Sequence, residues 1–113
     1  MHEASLAKNI IEVIAANAQL FDGRPVKSVT VRMGELIGAY KDTLVDYFNE
    51  FSKRTIAEGA KLLIEECPIN AKCRKCQMEF EINNFEINCP KCQNTKFDII
   101  GGNEFDLVNL EVE

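Results

Sequence analysis

The chain has 113 residues, of which 46% are apolar and 27% charged, and its formal net charge is −5. This size and composition indicate one small globular domain, or a small domain with an added module, and exclude an extensively disordered chain. No apolar run approaches the roughly 20 residues needed to cross a bilayer, and no secretory leader pattern opens the sequence. The acidic balance argues against general nucleic-acid binding. We therefore expect a cytoplasmic protein without a membrane or nucleic-acid partner.

The first part of the chain predicts helices alternating with strands. Apolar residues at three- and four-residue steps predict amphipathic helices, and alternating β-branched residues predict strands. Pro25 follows the end of the first predicted helix, and Pro68 ends the predicted strand before it. Asp42 or Thr43 is expected to cap the second helix. The predicted elements are a helix over 4–20, a strand over 26–33, a glycine-bracketed turn over 34–38, a helix over 42–55 and a strand over 61–66.

The character of the sequence changes over residues 69–101, where cysteines, lysines and asparagines replace the aliphatic periodicity. Residues 78–82 and 85–87 flank two asparagines, which predicts a β-hairpin with its turn at Asn83 and Asn84. Gly101 and Gly102 then form a hinge before the final strand.

The final strand is predicted over residues 105–112. Its apolar alternation changes phase between Leu107 and Val108, which predicts a bulge or burial on both faces. One short strand cannot form a domain, so we expect it to rejoin the first sheet. Because it must cross the insert to do so, strand-edge pairing or swapping into a homodimer stays open.

The predicted fold class is therefore α+β. A small sheet of about three strands carries two helices on one face. A four-cysteine zinc-ribbon insert interrupts this sheet. The predicted domains are residues 1–68, completed by a strand over 102–113, and the zinc ribbon over 69–101.

Five cysteines give the most specific chemical signal. Cys73 with Cys76, and Cys89 with Cys92, form two Cys-x-x-Cys pairs, and two such turns brought together place four thiolates around one ion. This pattern is typical of a structural Zn²⁺ site, in which metal binding also supplies folding free energy. Cys67 lies outside the pairs and is interpreted as a buried structural thiol, with an exchanging ligand as the alternative.

Other interpretations of the cysteine pairs are iron in a tetrathiolate, a redox dithiol and two disulfides. The odd cysteine count argues against a disulfide framework. A nucleic-acid finger is disfavoured, because residues 69–101 hold five basic against four acidic residues and no basic stripe.

The chain start, Met1-His2-Glu3, offers a second metal site. The α-amine of Met1, the amide nitrogen of His2 and its Nδ1 atom form adjoining five- and six-membered chelate rings. A square-planar ion such as Ni²⁺ can displace the amide proton and bind this nitrogen-rich set. The amide nitrogen of Glu3 and its carboxylate are both candidates for the fourth ligand. Taken alone, a histidine at a frayed terminus would carry no such meaning.

Together these residues resemble the HypA/HybF family of hydrogenase nickel-incorporation proteins. The resemblance runs along nearly the whole chain. It rests on Met-His-Glu followed by a helix, the turn over residues 34–38, the two cysteine pairs, and Gly-Gly-Asn-Glu-Phe-Asp-Leu over 101–107.

The resemblance implies a nickel metallochaperone and not an enzyme. Residues 1–68 would be its nickel-binding domain, with Met1, His2 and Glu3 as nickel ligands and the four paired cysteines holding zinc. Nickel would be cargo and zinc a structural cofactor. The family implies delivery to the [NiFe]-hydrogenase large-subunit precursor with a HypB-type GTPase, and in some organisms service to urease maturation proteins.

Two further alternatives remain at this stage. A zinc-ribbon interaction module would have one metal and no role for His2. A zinc enzyme would need an open metal position and a general base, and nothing in the sequence places Glu3 or Glu35 near the cysteines.

Overall fold

The computed structural model of the chain describes residues 2–82 and 88–113. Met1 and residues 83–87 lie outside the described residues. The second strand and the turn of the predicted hairpin fall in the latter range. The helices are α1 (Glu3–Ala16) and α2 (Lys41–Phe51), with 3₁₀ turns at Ala18–Phe21 and Glu35–Ile37. The strands are β1 (Val26–Gly34), β2 (Lys61–Cys67), β3 (Ile69–Cys73), β4 (Glu79–Ile82), β5 (Phe97–Gly101) and β6 (Phe105–Val112).

The first sheet has the strand order β2-β1-β6, with β1 parallel to β2 and antiparallel to β6. Val29, Val31 and Met33 alternate along β1 and are buried, because side chains at every second position share one face. The apolar stripes of both helices pack on this face, with Leu6 and Phe48 fully buried. The predicted fold class, a three-stranded sheet with two helices on one face and a four-cysteine insert, is confirmed. Neither α-helix of the described residues is long and apolar enough to span a membrane.

Helix α1 is shorter than predicted. It ends at Ala16, and the next residues form a 3₁₀ turn instead of continuing the α-helix to residue 20. The side chain of Asn17 donates to the carbonyl of Val13 at 2.7 Å, a local side-chain bond that competes with helix continuation.

Helix α2 differs from the prediction at both ends. Its N-cap is Tyr40, with no side-chain cap, so the expectation that Asp42 or Thr43 caps the helix was wrong. The helix ends at Phe51 instead of residue 55. Beyond it, the Thr55 hydroxyl donates to the Ser52 carbonyl at 2.6 Å and stabilises a series of turns.

The predicted irregularity of the last strand is confirmed. The pairing between β1 and β6 shifts between Thr30, opposite Asn109, and Val31, opposite Leu107. Val108 is the extra residue on β6 and is exposed. This bulge keeps apolar side chains on the helix-covered face on both sides of the phase change.

The insert forms a second sheet, with the order β4-β3-β5 and both pairings antiparallel. The sequence did not indicate β3 or β5, because their apolar alternation is short and interrupted. Strand β4 was expected to pair with residues 85–87, but in the described residues it pairs with β3. The division into domains at residues 68/69 and 101/102 stays a prediction.

The two sheets are joined where three chain segments meet. The carbonyl of Gly102 accepts from the amide of Leu36 at 2.7 Å, and the amide of Gly34 donates to the carbonyl of Glu104 at 2.8 Å. A Cβ atom on Gly34 would overlap the carbonyl group of Gly102, and one on Gly102 would lie 2.8 Å from the Cα of Ile69. Gly102 also has a φ of +114°, which glycine adopts readily.

We expect Gly34→Ala to destabilise the chain through steric overlap alone, since the φ of −76° at Gly34 suits any residue. The backbone of Gly102 must move, so the loss should be at least about 2 kcal/mol in urea denaturation. The control is Gly23→Ala, where φ is +64° and the added methyl meets open space. There the loss should be about 1 kcal/mol. A smaller loss for Gly34→Ala than for Gly23→Ala would contradict the close approach of the two glycines.

Candidate metal centre

Two turns of the same geometry bring four cysteines together. Cys73 ends β3 and begins the first turn, which closes through a bond from the amide of Gln77 to the carbonyl of Cys73 at 3.1 Å. In the second turn the amide of Gln93 donates to the carbonyl of Cys89 at 2.9 Å. The two glutamines have nearly equal positive φ values, 66° and 67°. The two Cys-x-x-Cys segments therefore present their thiols in the same way.

The four sulfur atoms, those of Cys73, Cys76, Cys89 and Cys92, all lie within 4.8 Å of one another. Two contacts between the turns, Cys73 to Cys92 and Cys76 to Cys89, are 3.5 Å long. A tetrahedron with Zn–S bonds of about 2.3 Å has S–S edges of roughly 3.8 Å, whereas a disulfide bond measures about 2.05 Å. All five cysteines are free thiols. The arrangement fits a four-coordinate ion and differs from a pair of disulfides.

The pKa values of these thiols differ because each thiol has different hydrogen bonds and a different burial. The pKa of Cys73 is lowered to about 6, chiefly because the Cys76 amide donates to its sulfur, with a second bond from the Lys75 amide. Burial opposes ionisation of Cys89, but hydrogen bonds from the amides of Cys92 and Lys91 and with the thiols of Cys76 and Cys92 together outweigh it and lower its pKa.

Cys92 shows the opposite shift. Although the Asn94 amide donates to its sulfur, burial and the neighbouring cysteine sulfurs raise the pKa of Cys92 to about 11. Four thiolates at these distances repel one another, so their joint ionisation requires a cation between them. The site's electrostatics therefore favour a bound metal over an empty thiol cluster.

Asn94 supports the site and was missed by the sequence analysis. Its side-chain nitrogen lies 3.8 Å from the sulfur of Cys73 and 3.1 Å from the carbonyl of Lys96. Its own carbonyl accepts from the amide of Cys89 at 2.9 Å. One residue thereby ties the second turn to the first. Its position two residues after Cys92 is the only sequence signal that could have indicated this role.

Cys67 stands apart from the cluster. It ends β2, is half-buried, and belongs to no group of ligand atoms within the described residues. Burial, followed by the carboxylate of Glu104, raises the pKa of its thiol. These features agree with a structural thiol more closely than with an exchanging ligand.

The second predicted site lies at the start of α1. His2 is the N-cap of this helix, is exposed, and has an extended backbone with φ −77° and ψ 137°. The amides of His2 and Glu3 precede the first turn, so neither has an acceptor within the helix. The third predicted residue, Met1, is not described. His2 and Glu3 are not members of the cysteine group, and neither is Glu35.

The carboxylate of Glu3 has a partner on α2. One of its oxygens accepts from the backbone amide of Tyr40 at 2.9 Å. This bond, with a smaller contribution from its own amide, holds the pKa of the Glu3 carboxyl below its usual value. Glu3 thereby binds the N-cap residue of α2, although no side chain caps the amides of the first turn of that helix.

Comparison with known proteins identifies the family of the chain. A sequence model of the HypA family, described as hydrogenase/urease nickel incorporation metallochaperones, matches residues 1–112. The chain belongs to the HypA family. A hydrogenase maturation factor HypA from Desulfitobacterium hafniense (strain DSM 10664 / DCB-2) is 38% identical over 113 residues, covering 100% of this chain and 99% of the relative. The corresponding factor from Geotalea daltonii is 35% identical over 112 residues, or 99% of each chain.

A solved structure has a similar fold. The solution structure of the Ni metallochaperone HypA from Helicobacter pylori superimposes with a TM-score of 0.71 at 27% identity, covering 99% of this chain and 97% of that one. The resemblance inferred from the sequence is therefore confirmed, and the chain is a member of a family of hydrogenase-maturation nickel metallochaperones.

We expect Cys73→Ser to lose the metal held by the cysteine cluster, because one sulfur ligand and its hydrogen-bonded turn are removed. Cys67→Ser is the matched control, since it removes a thiol from the same chain outside the cluster. Metal content by mass spectrometry should fall to near zero in the first variant and stay at one ion per chain in the second. Retention of the ion by Cys73→Ser, or its loss from Cys67→Ser, would contradict the assignment of the cysteines.

Proposed function

We propose that this chain binds Ni²⁺ through Met1, His2 and Glu3 and passes it on during hydrogenase maturation, while Cys73, Cys76, Cys89 and Cys92 hold a structural Zn²⁺. The observation that carries the nickel site is the exposed start of α1. There, an imidazole and two amides without helical acceptors stand next to the chain's first residue. The proposal requires a free α-amino group at Met1.

The chemistry of this chelate suits a carrier. The amine, the His2 amide and its imidazole must all release protons to bind the metal, so binding weakens as pH falls. Its ligands are exposed and can be exchanged one at a time with those of a receiving protein. Cu²⁺ binds such nitrogens more tightly than Ni²⁺, so selectivity comes from metal supply and partners.

The hydrogen bond of Glu3 bears on the fourth ligand. Its carboxylate already accepts from the amide of Tyr40, whereas no backbone carbonyl of α1 accepts from its amide nitrogen. The amide also adjoins the His2 nitrogen ligands along the backbone. We therefore choose the Glu3 amide nitrogen over its carboxylate as the ligand, with the carboxylate holding α1 against the start of α2.

Zinc is the ion that best fits the cysteine cluster. Four sulfurs complete a tetrahedral shell and leave no position for a reactive water, which supports a structural site in a carrier that is not an enzyme. Bound zinc would neutralise thiolate charge and hold the two Cys-x-x-Cys turns together. Tetrathiolate iron is the alternative, and the metal analysis of the purified chain distinguishes it by its colour and its element.

Family membership supports partners in the same pathway. The partners we propose are the [NiFe]-hydrogenase large-subunit precursor, which receives the nickel, and a HypB-type GTPase that works with the chain. Urease maturation proteins are further recipients where the organism makes urease. The homodimer that strand swapping would produce is not part of this proposal, because a single described chain completes its own first sheet.

The nickel site is tested by blocking the chain start. Adding Gly-Ser before Met1, or making His2→Ala, should weaken Ni²⁺ binding by at least about 100-fold in calorimetric titration, since either change removes a nitrogen ligand. Zinc content and the folded state should not change. Unaltered nickel affinity in the extended chain would refute the terminal chelate, and loss of zinc or folding in His2→Ala would indicate a structural histidine.

The choice of the Glu3 amide is tested by Glu3→Pro against Glu3→Ala. Proline has no amide proton to release, and it is well tolerated at the first helical position after an extended residue such as His2. Alanine removes only the carboxylate. We expect the absorption band of square-planar nickel to disappear in Glu3→Pro and to persist in Glu3→Ala. Loss of the band in both variants would assign the ligand to the carboxylate.

A further inference from the structure

Strand β6 is an edge strand with nothing beside it in the part of the chain that the structure describes. It pairs with β1 on one side only. Alternate residues of such a strand turn their N–H and C=O groups outward, which offers a ladder for another extended chain. β6 spans eight residues, long enough for several main-chain bonds.

An apolar groove runs along this edge. Its volume is about 280 Å³, and it lies between α1, the 3₁₀ turn at Ala18–Phe21 and the helix-facing side of β6. Val13 and Leu20 form one wall, while Leu107 and Leu110 form the other. Leu20 is 81% exposed, the largest exposure among the large apolar side chains of the described residues. A strand added to β6 would direct every second side chain into this groove.

The opposite side of β6 carries two carboxylates that form no ion pair among the described residues. Asp106 and Glu111 lie on the face that the helices leave open, and neither forms an ion pair among the described residues. The Ser28 hydroxyl donates to Glu111 at 3.3 Å and leaves its charge unbalanced. A strand added to β6 would place its other side chains next to these carboxylates.

The other edge of the sheet differs in both respects. On β2, the carboxylates of Glu65 and Glu66 are already paired with Arg32 at 3.7 Å and Lys41 at 3.6 Å. The apolar grooves that α1 forms with Ile56, Phe51 and Leu20 contain no residue of β2. The two edges are therefore not equivalent. In the described residues β6 combines an unpaired edge, an apolar groove and carboxylates without an ion pair, whereas the carboxylates of Glu65 and Glu66 on β2 are paired.

A second copy of β6 does not suit this edge. Antiparallel pairing of two β6 strands in full overlap would set Asp106 of one copy opposite Glu111 of the other. Parallel pairing in register would set Asp106 opposite Asp106. Like charges directly opposite each other destabilise strand pairing. The acidic residues thus oppose self-association and favour a basic partner.

We propose that the free edge of β6 binds an extended segment of a partner protein in which apolar and basic residues alternate. The segment adds a fourth strand to the first sheet. Its apolar side chains fill the groove beside Leu20 and Leu110, and its lysine or arginine side chains lie against Asp106 and Glu111. This surface needs no metal, so it is independent of the nickel proposal.

The probe is a blocked nine-residue peptide that alternates lysine and valine, titrated into the ¹⁵N-labelled full chain. Amide shifts should be confined to β6 and residues 13–21. Leu20→Lys, and separately the pair Asp106→Lys with Glu111→Lys, should each raise the peptide Kd by about tenfold or more. Leu63→Lys on β2 and the pair Glu12→Lys with Glu58→Lys are the matched controls for side-chain type and net charge, and should leave the Kd within about twofold.

A peptide with glutamate in place of lysine should bind at least about tenfold more weakly, because like charges then meet on the open face. Four results would overturn the proposal: no binding at millimolar peptide, shifts centred on β2 or the second sheet, equal binding of the glutamate peptide, and equal loss of binding in the control variants. Concentration-dependent dimerisation through β6 would overturn it too, in favour of a second copy as the occupant.

Discussion

The fold depends on the close approach of Gly34 and Gly102, where the chain returns from the insert to the first sheet. No side chain larger than hydrogen fits at Gly34 against the carbonyl of Gly102. That carbonyl is held by the amide of Leu36, and the adjacent amide of Gly102 donates to the Glu104 carboxylate at 2.7 Å. This contact fixes the point at which the chain re-enters the first sheet after the insert. From there β6 starts in register with β1, with no flexible linker between the insert and the sheet.

The insert itself is held together in a different way from the first sheet. The first sheet buries a continuous apolar cluster from both helices and β1, whereas the insert buries Ala71, Cys73 and Cys89 and little else in the described residues. Such a small core stabilises a fold weakly. Ion binding by four sulfurs compensates, and the Arg74 guanidinium, 2.7 Å from Asp98, adds only the modest contribution of an exposed pair.

The sequence alone predicted a structural feature where one physical signal dominated. Alternation along β1 and the phase change at Val108 follow from the two-residue period of a strand, and the spacing of the cysteine pairs is typical of metal-binding turns. All three features are present in the structure. It did not predict features that depend on contacts between residues far apart in the sequence. The start of α2 is contacted by Glu3, 37 positions away from Tyr40, and no local capping rule contains that information. Likewise β3 and β5 pair across the cysteine turns, so neither has the local periodicity of an independent strand.

The segment from Gly34 to Tyr40 brings these two long-range contacts together. At one end Gly34 and Leu36 bind the chain where it leaves the insert, and at the other the amide of Tyr40 binds the carboxylate of Glu3. The start of α1 and the exit of the insert therefore lie at the same end of the first sheet, attached to one short stretch of chain. If nickel binds at the start of α1 as we propose, a partner that receives it approaches the end from which the insert emerges, so one protein surface can contact both. The free edge of β6 also begins at this end, at Phe105, and runs away from it along the sheet.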